Sequence, residues 1–127
     1  MRKIAITGNI GSGKTTVCKI LKNSGYKVFE CDLEVKKLYK TINLKNKVRR
    51  MLGHKISNLF FSNGRINKQA LSDYIFGSPG ELRDLEKLIY ESLSEMKKRF
   101  CKIHSKEEVI FFDIPLLFEK RMENEYD

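Results

Sequence analysis

The sequence predicts an α/β fold built around a parallel sheet of about three strands, and three observations predict it. Three apolar runs, Ile4-Ala5-Ile6, Val28-Phe29 within 27–31, and Val109-Ile110-Phe111-Phe112, have the length and the β-branched or aromatic content of buried strands. Segments with apolar residues every three or four positions separate them, and strands that alternate with helices pair in parallel. A glycine-rich loop, Gly8-Asn9-Ile10-Gly11-Ser12-Gly13-Lys14-Thr15, joins the first run to the first helix.

That loop carries its own chemistry. Gly8, Gly11 and Gly13 let the backbone turn tightly and bring its N–H groups against phosphate oxygens, where a side chain would obstruct. The following helix points its positive end at the same anion. Lys14 reaches the β- and γ-phosphates as a point charge, and the Thr15 hydroxyl is placed to ligate Mg²⁺. A dinucleotide loop is the nearest rival. Gly11 and Gly13 would supply its first two glycines, but the third position falls on Thr16 and the Lys-Thr pair has no role there. The reading is a triphosphate site on a P-loop NTPase-type three-layer fold.

Taken in order, the first strand runs over about 3–7 and the first helix over 14–23. Gly25 suits the left-handed position that ends that helix. The second strand is 27–31, with Asp32 at its C-terminal end, where parallel sheets place their chemistry. A helix then opens at Asp32 with Val35, Leu38 and Tyr39 on one face. Segments 44–52 and 54–61 are short, and Ser62-Asn63-Gly64 marks a turn. Ala70, Leu71, Tyr74 and Ile75 give helical spacing over 67–76. The best-marked helix starts at Ser78-Pro79-Gly80-Glu81, where Ser78 caps, Pro79 occupies the first turn and Glu81 completes a capping box. Its apolar stripe is Leu82, Leu85, Ile89, Leu93, Met96 and Phe100, a core face. The third strand ends in a carboxylate, Asp113.

Chain length allows one core, and no apolar run reaches the ~18–20 residues that span a bilayer. Met1-Arg2-Lys3-Ile4 leads straight into the first strand, so no signal peptide is expected. Cys18, Cys31 and Cys101 lack metal-ligand spacing and read as reduced thiols of a cytoplasmic protein. The net charge of +9 is unevenly spread, with no acidic residue from Val35 to Ser72. Lys36, Lys40, Arg49, Arg50, Arg65 and Lys68 lie in that window. A basic stretch of this length implies an anionic partner, either a phosphorylated small molecule or a nucleic acid.

Two carboxylates sharpen the loop's meaning. Asp113 closes an apolar strand, the pattern of a carboxylate that holds Mg²⁺ directly or through water; a turn residue is the competing role. Asp32 ends the neighbouring strand, where it could accept the proton of an attacking hydroxyl; a helix cap is the competing role.

The chain resembles the dephospho-coenzyme A kinase family. The resemblance rests on Ile6–Val17, on Gly25–Asp32, on Gly64–Phe76 and above all on Asp113-Ile114-Pro115-Leu116-Leu117-Phe118-Glu119, the narrowest of these signatures. It implies transfer of the γ-phosphoryl of ATP, with Mg²⁺, to the ribose 3′-hydroxyl of dephospho-CoA. By the same resemblance Asp32 is the base, and Gly11, Ser12, Gly13, Lys14, Thr15 and Thr16 bind ATP. Residues 33–106 then form a mostly helical, basic acceptor-binding region within a single 1–127 kinase domain. Tyr90-Glu91 stands where the family usually has His-Pro, Lys68 where it usually has arginine, and Glu30 where it usually has aspartate. The family continues with a further strand, a helical lid carrying arginines and a last strand, so the 127 residues are expected to be C-terminally incomplete and to turn over slowly if at all. With three strands only, the first becomes an exposed edge through which copies could associate, although a monomer is expected. Another P-loop small-molecule kinase, or a non-catalytic nucleotide- or nucleic-acid-binding module, are the alternatives. Tyr39, Phe60 and Phe61 are too few and too clustered for a base-stacking platform, so no nucleic acid and no membrane partner is expected.

Overall fold

A computed structural model describes residues 1–8, 13–115 and 126. The elements are β1 (Arg2–Ile6), α1 (Lys14–Asn23), β2 (Lys27–Glu30), α2 (Cys31–Leu38), α3 (Ile42–Leu52), α4 (Lys68–Phe76), α5 (Pro79–Ile103) and β3 (Val109–Asp113). The chain divides into two compact units, one made of Met1–Glu34 and Ser94–Asp127, the other of Val35–Leu93.

In the first unit the strands form one sheet of order β1-β3-β2, parallel throughout. β3 is therefore central and β1 lies at an edge. Side chains alternate across a strand, which assigns the two faces of β3 different work. Ile110 and Phe112 are buried, and Phe112 meets Phe29 and Phe100 with ring centroids 5.7 and 5.8 Å apart. Val109, Phe111 and Asp113 point the other way, where Tyr26 stands edge-on to Phe111 at 5.4 Å. α1 covers this second face. Gly25 turns the chain out of α1 at φ 92°, a conformation that an L side chain rarely adopts.

The second unit is helical around Leu44, Val48, Leu52, Leu59, Leu71, Ile75, Leu85, Ile89 and Leu93, all buried. Side-chain caps fix its helix starts. The Thr41 hydroxyl accepts the Leu44 N–H at 3.3 Å, and Asn67 Oδ1 accepts the Ala70 N–H at 3.2 Å. Residues 54–61 make turns rather than a helix, closed by a single antiparallel bridge between Phe60 and Ile66.

Three expectations need correction. Cys31 begins α2 instead of ending β2, so Asp32 sits in the first turn of a helix, two residues beyond the strand's end at Glu30. The capping box at Ser78 does not form, because the Ser78 N–H donates to the Ile75 carbonyl at 3.0 Å. Glu81 instead accepts the Tyr74 hydroxyl at 2.9 Å and pairs with Lys55 at 3.3 Å. Leu82 falls on the exposed side of α5, and the core stripe starts at Leu85. Among the described residues no helix is long and apolar enough to cross a membrane.

Candidate active site

The site is built where α1 begins above the C-terminal ends of the strands. Gly13 precedes α1 at φ 86°, the left-handed region, and supplies no side-chain cap. The first turn of α1 holds no acidic residue, and its first intrahelical bond runs from the Val17 N–H to the Gly13 carbonyl at 3.0 Å. The N–H groups of Lys14, Thr15 and Thr16 thus lie before the helical ladder starts, at its positive end. Thr15 and Thr16 are exposed there, and Gly8 marks the exit from β1. Gly11 and Ser12, with Asn9 and Ile10 between the glycines, lie outside the described residues, as do Leu116–Glu119 of the last signature.

Lys14 turns back over the sheet. Its Nζ lies 2.8 Å from Asp113 Oδ1, with the two side chains 14% and 15% exposed. Register explains the meeting, since Asp113 pairs with Ile6, two residues before Gly8. Burial alone would lower the Lys14 pKa, but contact with Asp113, the Asp113 charge and the Asp32 charge together raise it above the ordinary lysine value. Both candidate carboxylates therefore act on one ammonium. Asp113 Oδ1 is buried and, beyond the ion pair, has no directed hydrogen bond. Asp32 is exposed.

The sheet face under α1 holds further polar groups that sequence reading passed over. Cys18 is 3% exposed and lies within the field of Asp113. Burial first, then Asp113, and then Glu30 push its pKa up to about 11 against the opposing pull of Lys14. The signal available in the sequence was its position four residues after Lys14, on the same helix face. Cys31 is wholly buried and pushed up to about 12, mainly by burial. Glu30 itself pairs with Lys22.

Mg²⁺ keeps several waters and takes one or two protein oxygens besides phosphate. The Asp113 carboxylate oxygen that faces Lys14 and the Thr15 hydroxyl fit that demand. Among the described residues no group of three or more His, Cys, Asp or Glu side chains gathers as a protein cage.

The second unit has its own concavity. A cleft of about 500 Å³ is lined by Lys36, Tyr39, Lys40, Phe61, Arg65 and Lys68, among others. The Lys68 ammonium lies 5.0 Å from the centre of the Tyr39 ring, a cation–π contact that holds the charge at the cleft wall. Burial raises the Tyr39 pKa, so its hydroxyl stays protonated. Four cations with no carboxylate in the lining make the cleft receptive to a polyanion.

A family model described as dephospho-CoA kinase matches residues 2–127. The chain belongs to the dephospho-CoA kinase family. A relative from Bartonella henselae bearing that name is 33% identical over 129 residues, covering 100% of this chain and 64% of the relative. Another, from Streptococcus pneumoniae, is 34% identical over 122 residues, covering 92% and 58%. A crystal structure of TT1252 from Thermus thermophilus matches with a TM-score of 0.75 at 30% identity, over 98% of this chain and 61% of that one. The dephospho-CoA kinase from Campylobacter jejuni gives 0.74 at 24% identity, over 96% and 61%, a likeness of fold. The chain thus spans less than two thirds of the length of each of these four proteins.

Proposed function

We propose that this chain binds Mg·ATP at the loop 8–16 and contributes to phosphorylation of the ribose 3′-hydroxyl of dephospho-CoA, the reaction that yields coenzyme A. The observation that carries this reading is the convergence on Lys14, where Asp113 lies 2.8 Å away and the Asp32 charge is also felt. In this reading Lys14 exchanges part of its pairing with Asp113 for the β- and γ-phosphates. The backbone N–H groups of 13–16 hold the same oxygens, with Gly11 and Ser12 completing the loop. Asp32, exposed on the first turn of α2, accepts the proton of the acceptor hydroxyl as it attacks phosphorus. Thr15 and Asp113 would hold Mg²⁺, which when bound neutralises charge on the phosphate oxygens.

The basic cleft of the second unit supports dephospho-CoA as the acceptor, because that molecule brings a pyrophosphate to Lys36, Lys40, Arg65 and Lys68. Lys68 offers a point charge rather than a bidentate fork, so acceptor binding is proposed to depend on charge more than on geometry. Three free cysteines support a cytoplasmic location, and a monomer is the proposed state.

Isothermal titration of the chain with Mg·ATP and with dephospho-CoA, alongside coupled ADP release against a panel of acceptors, tests the proposal. Binding of both ligands, with dephospho-CoA preferred over nucleosides and small polyols, is expected. Salt-dependent capture of single-stranded RNA without any dephospho-CoA binding would replace this reading by a nucleic-acid-binding one.

A further inference from the structure

We propose that Tyr39 is a positioning residue for the acceptor. Its ring holds the Lys68 ammonium in the basic cleft, so that a long and flexible side chain delivers its charge to one place. The proposal rests on the reading of this cleft as the acceptor site.

The first support is how unevenly the two partners are held. Just past the end of α2, the Tyr39 N–H still donates to the Val35 carbonyl at 3.1 Å. The Thr41 N–H and hydroxyl both donate to the Leu38 carbonyl, at 3.0 and 2.7 Å, and close the turn around Tyr39. On the other wall, Asn67 fixes the backbone next to Lys68. Its N–H donates to the Leu59 carbonyl at 2.7 Å, and its side chain accepts the Ala70 N–H at 3.2 Å. Both backbones are therefore set, and the half-buried Tyr39 ring has little freedom of its own. Lys68 is different. It is exposed, and its four-carbon stem carries some of the largest rotamer freedom of any side chain. The ring centre, 5.0 Å from Nζ, supplies the constraint that the stem lacks.

The second support is that Lys68 stands where local energetics disfavour it. It is the first residue of α4, and the first turn of that helix holds no acidic residue. A cation at this end opposes the helix dipole, and Lys36, Lys40 and Arg65 in the same lining repel it further. A neutral or acidic side chain would suit the helix better. Positions that break a local rule in this way are where function is expected. Attraction to the face of Tyr39 offsets the conflict and keeps the ammonium in the lining. An aliphatic residue at 39 would fill similar space and attract no charge.

Two measurements on the full chain test this. Dephospho-CoA affinity is expected to fall by about 3-fold in Tyr39→Leu and to hold in Tyr39→Phe, read by titration. Once Lys68→Gln has removed the ammonium, Tyr39→Leu is expected to cost nothing more. Equal affinity of Tyr39→Leu and wild type overturns the proposal. So does an undiminished loss in the Lys68→Gln background, which would mean that the ring meets the ligand itself. The other measurement needs no ligand. Lys68→Gln is expected to raise the melting temperature more in the Tyr39→Leu chain than in wild type, because there the cation meets the helix start with no ring to hold it. An equal or smaller rise overturns the proposal. Should leucine prevent folding, Tyr39→Met takes its place in both comparisons. A wild-type chain that binds no dephospho-CoA removes the acceptor reading and this role with it. Binding that persists while the coupling between 39 and 68 is absent removes this role alone.

Discussion

The two compact units handle charge in opposite ways. In the first, a few groups of opposite sign are held at short range: Lys14 against Asp113 at 2.8 Å, with Asp32 and Cys18 adding to the same local field. In the second, cations accumulate along a cleft of about 500 Å³ whose lining holds no carboxylate, and the ring of Tyr39 steadies one of them. The first arrangement is specific because every partner is fixed by strand register or helix turn. The second is permissive because it sets a potential and leaves the ligand to choose its contacts. Opposite kinds of substitution should therefore matter in each.

The largest effect is expected from Lys14→Ala, which removes the mostly buried ammonium proposed to hold phosphate. Mg·ATP affinity should fall by about 30- to 100-fold, read by titration, with dephospho-CoA affinity unchanged. Equal loss of both ligands would erase the distinction between the units.

Next comes Arg65→Ala combined with Lys68→Ala. Dephospho-CoA affinity should drop by about 10-fold at low salt, and by progressively less as salt is raised, while ATP affinity holds. A loss that ignores salt would mean that the cleft recognises by geometry after all.

Gly13→Ala is expected to be milder. No atom lies within 4 Å of the added Cβ, so the cost is conformational, from a φ of 86°, and amounts to about 1–2 kcal/mol. The loss should appear in ATP affinity or in melting temperature, and its absence would show that the loop adapts.

The smallest effect is on stability against pH. Cys18 and Cys31 have folded-state values pushed up to about 11 and about 12, from an ordinary 9.0. The folded chain keeps protons there that the unfolded chain releases, so their contribution is whole below pH 9 and is lost as pH rises toward 11 and 12. Lys14, also raised, adds a loss in the same direction above the ordinary lysine range. Denaturation midpoints should be flat up to about pH 8.5 and decline beyond it, more gently in Cys18→Ser. A midpoint that rises through that window would contradict the environment described for all three groups.

The sequence-level reading reached the first unit more fully than the second, for a physical reason. A phosphate loop is local: strand, glycines, Lys14 and helix are contiguous, so spacing carries the geometry, and Asp113 follows from one apolar strand. Cys18 was hidden because the carboxylates that act on it, Glu30 and Asp113, lie on β2 and β3, distant from it in sequence. In the second unit the acid-free window announced a potential, but which cations share a cleft depends on how α2 meets the 60–69 turn, and no local period encodes that. Glu81 shows the same limit. Its spacing from Ser78 satisfied a capping rule, yet Tyr74 and Lys55 offered better partners once α4 was in place.

The strand order has a consequence for how the molecule comes to exist. β3 lies between β1 and β2, so these two earlier strands do not pair with each other and must wait for β3. Arg2 pairs with Val109, a contact between residues far apart along the chain, and such closures are slow. Before β3 arrives, the helices of 35–93 can form from local contacts alone, while α1 lacks the central strand and Lys14 lacks Asp113 beside it. A nascent chain therefore completes its donor site only once β3 has paired, and any ligand that binds there selects molecules in which β3 is already in place.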